Sequence, residues 1–421
     1  MQNQTPSTSS RLSMSVAFAV MALVFSVVSF AAEGDAESVV FSRDVAPILM
    51  ENCAHCHRPG EIAPMSLLSY GEARPWAKSI KKVVANREMP PWFAEAEHGP
   101  WANDTSLSDD EIRTIVAWVD QGAVEGDPAL MPPPPVFTTG WQLGEPDYVF
   151  ALPKVEIPAD GPDLHPTPIM RLDLPERRWV RAVEVRPGDP EVNHHQVLFM
   201  AGGMGGDESQ RENGRFNILA VWAAGTAPTV FPEGTGRWLS PGDLLVLNQH
   251  YHPNGVDART DVTRVGLYFG EGEPDAEVSA VIAGTMDFKI PAGAENHELR
   301  VTHTLLEDVR IISYFPHMHL RGTDMTFIAT RPDGTKETLL HVPNYNFDWQ
   351  LFYYPEEPKH FPKGTEIEII AHYNNSESNE FNPDPTRDVG FGLQTTDEMM
   401  FGVFEMIADV DLKKDSKDGA D

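Results

Sequence analysis

The chain has 421 residues, too many for one compact core, which predicts two or three domains. Its formal net charge of −31 offers no basic face to neutralise phosphates, arguing against nucleic acid and against docking on anionic lipid. Any protein partner is expected to be basic or neutral. Only two cysteines occur, Cys53 and Cys56, and both belong to one motif. No disulfide framework is possible, so stability must come from packing and from metals.

Residues 1–31 read as an export signal. Arg11 supplies a thin positive region, Met14 to Phe30 is apolar apart from serines, and Ser29-Phe30-Ala31 resembles a cleavage site. The alternative is a retained membrane anchor, because the run approaches the ~20 residues that span a bilayer. Either way the chain is expected in a periplasmic or extracellular compartment, with no stable membrane association once the signal is cleaved.

Ser42-Arg43-Asp44 can start a helix, and Val45, Ile48 and Leu49 follow at helical spacing. That helix leads into Cys53-Ala54-His55-Cys56-His57, the c-type haem attachment pattern. Two thiols bond the porphyrin edge and the next histidine, His57, coordinates the iron. A four-cysteine zinc site is impossible with two cysteines. A thioredoxin-like pair lacks its βαβ context, and a simple disulfide stays open. The second axial ligand should be a methionine or histidine further on. Met89, in a stiff Met-Pro-Pro-Trp run, is preferred over Met65, with His98 third. Ser108-Asp109-Asp110-Glu111 is a capping box, Ile112, Ile115, Val116 and Val119 form one apolar stripe, and Gly122 sits where a helix ends. Residues 38–130 resemble a small class I cytochrome c domain, which implies one electron-carrying haem c. Residues 131–140, beginning Met131-Pro132-Pro133-Pro134-Pro135, read as a stiff linker.

From about Trp141 the pattern turns to short alternating strands with turn residues, such as Val265, Leu267 and Phe269, or the hairpin signal Pro332-Asp333-Gly334. This predicts β-sandwiches or jelly rolls, with residues 141–284 and 285–411 as two domains. The charged tail 412–421 is expected to be disordered. The fold class is therefore multidomain: a small all-α domain followed by two all-β domains.

Three histidine clusters stand out in the β half. His317 and His319 flank Met318, so on a strand both imidazoles face one side. His250 and His252 share a face in the same way. His194 and His195 are adjacent, and a regular strand would point them apart, so binding one ion demands an irregular backbone there. Convergent imidazoles suit copper or zinc, and a thioether from Asp397-Glu398-Met399-Met400 would favour Cu(I). Isolated His165, His297, His303, His341, His360 and His372 read as ordinary strand histidines.

Residues about 145 to 410 resemble the copper type II, ascorbate-dependent monooxygenases, the family of peptidylglycine α-hydroxylating monooxygenase and dopamine β-monooxygenase. The likeness runs in order through His194-His195, Thr226-Ala227-Pro228, Pro232-Glu233-Gly234, His250-Tyr251, Ile290-Pro291-Ala292-Gly293, His317-Met318-His319, Phe352-Tyr353-Tyr354-Pro355 and Thr396-Asp397-Glu398-Met399. The resemblance implies two jelly rolls with one copper each. It implies His194, His195 and His250 at an electron-storing copper, and His317, His319 and Met399 at an oxygen-binding copper, across a solvent-filled cleft. His252 has no counterpart in that pattern, and Met399 is favoured over Met400 by its Asp-Glu-Met context. The implied reaction is hydroxylation of a substrate C–H with O₂.

Three departures matter. The family's disulfides cannot exist here. The haem domain is an addition, expected to relay electrons from an external small reductant or redox protein. Phe315, Phe401 and Val403 occupy positions where the peptide-hydroxylating enzymes bind a substrate carboxylate. None can pair with one, so the substrate is expected to be neutral or apolar. The alternatives are an electron-transfer or copper-handling protein without turnover, and a copper–haem reductase of small nitrogen oxides, disfavoured because no cysteine remains for copper.

Overall fold

The structure is a computed structural model and describes residues 38–138, 140–200, 215–216, 218–223 and 225–409. The expected export signal and the charged tail lie outside these residues. The described chain is mostly β-sheet, with a few helices before residue 131.

The helices gather around their own apolar core. A π-helical turn, Phe41–Val45, runs straight into the helix Ala46–Asn52. Helical backbone thus begins one residue before the Ser42 start read from sequence. Phe41, Leu49, Ile80, Val84, Ile115 and Trp118 close the core. The helix Asp109–Asp120 carries the full capping box: Ser108 and Glu111 satisfy each other's backbone N–H groups. Gly122 follows with φ +99°, the left-handed conformation that suits glycine at a helix end.

Residues 92–104 leave this helical core and enter the β half. Trp92 stacks edge-on against Tyr353 at 5.0 Å, and Trp101 packs on Tyr314 and Tyr353. Asn103 donates to the Phe352 carbonyl at 2.7 Å and accepts from Tyr354 N–H. The segment is therefore part of a β-sandwich core. Within the expected linker, Phe137 lies against His55 and under the Arg58 guanidinium.

One ten-stranded sheet runs through both β halves. Its central order is Arg264–Phe269, Arg178–Arg186, Thr235–Leu239, Ala276–Gly284, Phe401–Ala408, Val309–His317. A four-stranded sheet including Asn193–Met200, Ile218–Ala223 and Leu244–Tyr251 covers one end. Leu198, Leu219, Leu245 and Leu247 meet Val180, Val183, Val265 and Leu267 there. A second four-stranded sheet, from His297–Thr304 to Glu366–Tyr373, covers the other end, where Phe327, Ile367 and Ile369 meet Ile311, Tyr314 and Phe404.

The strand Ala276–Gly284 is the seam. It pairs in parallel with Thr235–Leu239 and antiparallel with Phe401–Ala408. Across it the buried Arg237 guanidinium meets Glu405 at 2.9 Å and also donates to the Val278 carbonyl. Ser313 donates to the other Glu405 oxygen at 2.9 Å, so the network reaches a fourth strand.

Glu405→Ala would strand a buried guanidinium and is expected to cost about 3–5 kcal/mol. Replacing both partners with Arg237→Met and Glu405→Leu should recover most of that loss. Guanidinium chloride unfolding measures both; a single-variant cost below about 1 kcal/mol would remove the pair from its structural role.

Candidate metal centre

The strands Asn193–Met200 and Leu244–Tyr251 are antiparallel neighbours, and their register breaks at the first histidine cluster. His250 pairs with His195 and Tyr251 pairs with Asn193, leaving His194 as the extra residue of a bulge. This is the irregular backbone that adjacent histidines require. His194 Nδ1 lies 3.1 Å from His195 Nδ1 and 3.1 Å from His250 Nδ1.

Asp163 sets the tautomer. Its carboxylate meets His250 Nε2 at 2.7 Å and His252 Nδ1 at 2.7 Å. A carboxylate accepts, so His250 carries its proton on Nε2 and turns a free Nδ1 lone pair inward. Burial works against ionisation of Asp163, but its hydrogen bonds to the two histidines win and hold it at about 2. His165 stacks on the far side of His250 at 4.4 Å. Burial, and then the neighbouring charge of His250, push His194 down to about 3; burial and His194 push His195 well below its usual value. Three imidazoles whose Nδ1 atoms converge fit a copper or zinc ion.

The second cluster begins where the strand Val309–His317 ends. His317 is opposite Phe401, beside the Met399 that precedes the next strand. His317 Nε2 is 3.3 Å from Met399 Sδ, and the His317 and His319 rings are 5.5 Å apart. Met400 is fully buried in the sandwich core, so the two adjacent methionines divide as a strand requires. Gln350 Oε1 accepts from His317 Nδ1 at 2.8 Å, which leaves Nε2 to face the thioether. The Asp397 carbonyl lies 3.3 Å from His319 Nδ1. Burial lowers His317; burial and His317 together lower His319 to about 3. Two imidazoles and a thioether are a soft donor set that fits Cu(I).

Glu398 holds this geometry from below. Its buried carboxyl accepts from the backbone N–H groups of His319, Arg321 and Met399 at 2.9, 2.7 and 3.2 Å. Burial raises it to about 7 against those three donors.

The two clusters share one ring. Phe347 stacks on His194 at 5.2 Å and meets His319 edge-on at 5.8 Å. Its loop also brings Gln350 to His317 and Tyr345, whose hydroxyl donates to the Met318 carbonyl at 2.7 Å. Around His317 the wall is aromatic: Phe401 lies parallel at 6.3 Å and Phe315 stacks on Phe352 at 4.7 Å. Sequence reasoning passed over Asp163, Phe347 and Gln350. Asp163 had a weak signal in Asp-Leu-His upstream; Phe347 and Gln350 had none.

Cys53 and Cys56 follow the first helix directly, with His57 N–H bonded to the Cys53 carbonyl at 2.9 Å. Burial pushes the Cys53 thiol up to about 12 and raises Cys56 as well. The Met65 carbonyl lies 3.3 Å from His57 Nδ1, which leaves His57 Nε2 for a metal. Met65 packs on the helical core, and Met89 is half-buried at its edge. His98 is turned instead towards Glu95 and His341. Cys56 Sγ lies 3.2 Å from where a Cβ on Gly225 would stand. Gly225 is two residues past Ala223, the cross-strand partner of His195.

No family model matches this chain, and no curated protein does. Among solved structures it is similar to a protein from Eubacterium rectale described as secreted, at 8% identity and TM-score 0.20 over 58% of this chain and 69% of that one. It is also similar to the PBSX exported protein XepA, at 10% identity and TM-score 0.17 over 62% of this chain and 87% of that one. Among the described residues no helix is long and apolar enough to cross a membrane.

Buried neutral histidines make a sharp pH prediction for the metal-free protein. His194, His195, His317 and His319 all sit below their unfolded value in the folded state. Folding then favours their neutral form, so that stability is complete above about pH 6.5 and is lost as pH falls towards 3. Thermal unfolding scanned downward from about pH 7 should show a steep fall in Tm by about pH 5. A flat profile would mean that these rings protonate freely in the folded state.

Proposed function

We propose that the chain is an exported copper-dependent monooxygenase related to the peptidylglycine and dopamine enzymes. It hydroxylates a C–H bond of a neutral or apolar substrate with O₂. Its cytochrome c-like unit lies within residues 38–130, apart from the segment 92–104 that packs in the second β-sandwich, and residues 141–284 and 285–411 carry its two copper-bearing jelly rolls. One oxygen atom enters the substrate, the other leaves as water, and two electrons and two protons are consumed.

The observation that carries this reading is the pairing of two unlike donor sets on one ring. Phe347 touches His194 of the set of three imidazoles and His319 of the set of two imidazoles and a thioether. A single structural ion needs no such pair. Haem held by Cys53, Cys56 and His57, and copper held by the two clusters, supply one-electron chemistry and oxygen activation when bound.

The chain's own residues do the rest. Asp163 and Gln350 fix which ring nitrogen each cluster presents. Glu398 holds His319 and Met399 together through their backbone. Phe347 keeps water from the space between the clusters, and the Phe315, Phe352 and Phe401 wall favours an apolar substrate over a carboxylate. Met89 would be the methionine to complete the iron's ligand set in preference to Met65, whose backbone carbonyl is already engaged by His57 Nδ1.

Protein exported by a host that matures c-type haem should contain about two copper and one iron per chain, the count the three ligand sets require. Oxygen uptake should match hydroxylated product, and His317→Ala should abolish product while leaving the haem spectrum intact. Iron without copper would reduce the chain to a cytochrome joined to a β-sandwich binding module. Full copper with no product from any neutral substrate would favour an electron-transfer or copper-handling role. Mixed anaerobically, ferrous haem should be oxidised by the Cu(II) protein; haem that stays reduced would break the link between them.

Phe347→Ala is expected to keep both coppers and to release more peroxide per O₂ consumed, because water then enters between the clusters. An unchanged ratio of product to O₂ would remove Phe347 from that role.

A further inference from the structure

A third cluster of donors lies away from both histidine centres, where the segment from the helical half enters the second sandwich. Glu95 immediately precedes the one-turn 3₁₀ helix Ala96–His98, and its side chain is not spent on capping it. Three residues per turn put Glu95 and His98 on one side of it. Glu95 N–H donates to the His341 carbonyl at 3.0 Å, which sets this turn against the strand Lys336–Val342. Glu95 Oε2 is then 2.9 Å from His341 Nδ1 and 3.5 Å from His98 Nε2. The three donor atoms lie within 4.8 Å of one another, and all three side chains are half-buried.

We infer that Glu95, His98 and His341 form a binding site for a divalent cation of the zinc class, independent of the copper reading. Tetrahedral zinc with bonds of about 2.0–2.1 Å places neighbouring donor atoms about 3.3 Å apart. The separations of 2.9 and 3.5 Å bracket that value. His98 Nε2 stands 3.5 and 3.6 Å from the carboxylates of Glu95 and Glu97, longer than a good hydrogen bond to either. An imidazole aimed between carboxylates without bonding them is the arrangement a cation completes. Two imidazoles and one carboxylate, with no sulfur, favour Zn²⁺ over Cu(I).

The frame is rigid on both sides. Trp92 and Trp101 anchor the segment against Tyr353 and Tyr314, so the donors keep their places without the ion. His98 also lines a cleft with Gly99, Pro100, Glu337 and His360, which leaves room beside it for water or a small ligand. The ion pins the segment that follows Met89 to the second sandwich. It is a brace between the helical and β parts of the chain.

The test is zinc stoichiometry on whole, haem-bearing protein whose histidine clusters are first filled anaerobically with Cu(I), so that Cu(II) does not compete for this nitrogen and oxygen site. Wild type should take up one tight Zn²⁺ equivalent, and His98→Ala and His341→Ala should each take up none. Copper content and the haem spectrum should be unchanged in both variants. Equal zinc uptake in wild type and variants would overturn the site. If a variant fails to fold, crystals of the wild-type protein soaked in zinc decide the matter. An anomalous zinc peak between Glu95 and His341 supports the site, and its absence at saturating zinc refutes it.

Discussion

The buried Arg237–Glu405 pair sits where strands from both β halves join one sheet, and the rest of the molecule takes its alignment from that seam. A guanidinium and a carboxylate can be removed from water together only if their geometry holds. This one also satisfies the Val278 carbonyl and the Ser313 hydroxyl. The network therefore ties four strands in a single register. Two of them, Val309–His317 and Phe401–Ala408, carry His317 and flank Met399. Ile218 and Val221 of one half pack with Phe315 and Val403 of the other, and Phe347 touches both clusters.

Local chemistry was readable in the sequence wherever a side chain acts on its own few neighbours. The capping box at Ser108, the glycine at the following helix end and the bulge demanded by His194-His195 are all near-neighbour constraints. Adjacent extended residues face apart, so only one of Met399 and Met400 could reach the histidines, and the Asp-Glu-Met context favours Met399, which lies at His317 while Met400 is buried. The mostly β character after residue 141 followed from the short alternating runs and their turns.

What escaped was set by partners far along the chain. Asp163 reaches His250 across 87 residues, and Gln350 reaches His317 across 33. Neither belongs to a periodic pattern or a short motif, so only the folded register reveals them. Residues 92–104 gave a subtler difficulty. Their tryptophans are as apolar as those of the helical core, and composition cannot say which of two cores a Trp will join. His98, weighed as a haem ligand because it follows Met89, instead faces Glu95 and His341 once that segment crosses to the second sandwich.

The two histidine clusters differ most in the charge behind them, and this difference matches the division of labour proposed for them. The first is backed by Asp163, which stays ionised because His250 and His252 stabilise its charge against burial. A fixed negative charge one bond beyond the ligand raises the basicity of the imidazole and favours the more highly charged metal state. The second is backed by a neutral amide, Gln350, and by Glu398, whose burial raises its carboxyl to about 7 and whose oxygens are spent on backbone N–H groups. A thioether, and imidazoles backed by an amide and a backbone carbonyl rather than by a carboxylate, favour the lower charge state. The electrostatic gradient therefore runs from an electron-releasing environment at Asp163 towards an electron-accepting one at Met399, with Phe347 between them. Two sites with the same outer shell would hold an electron equally well and would give it no direction to move.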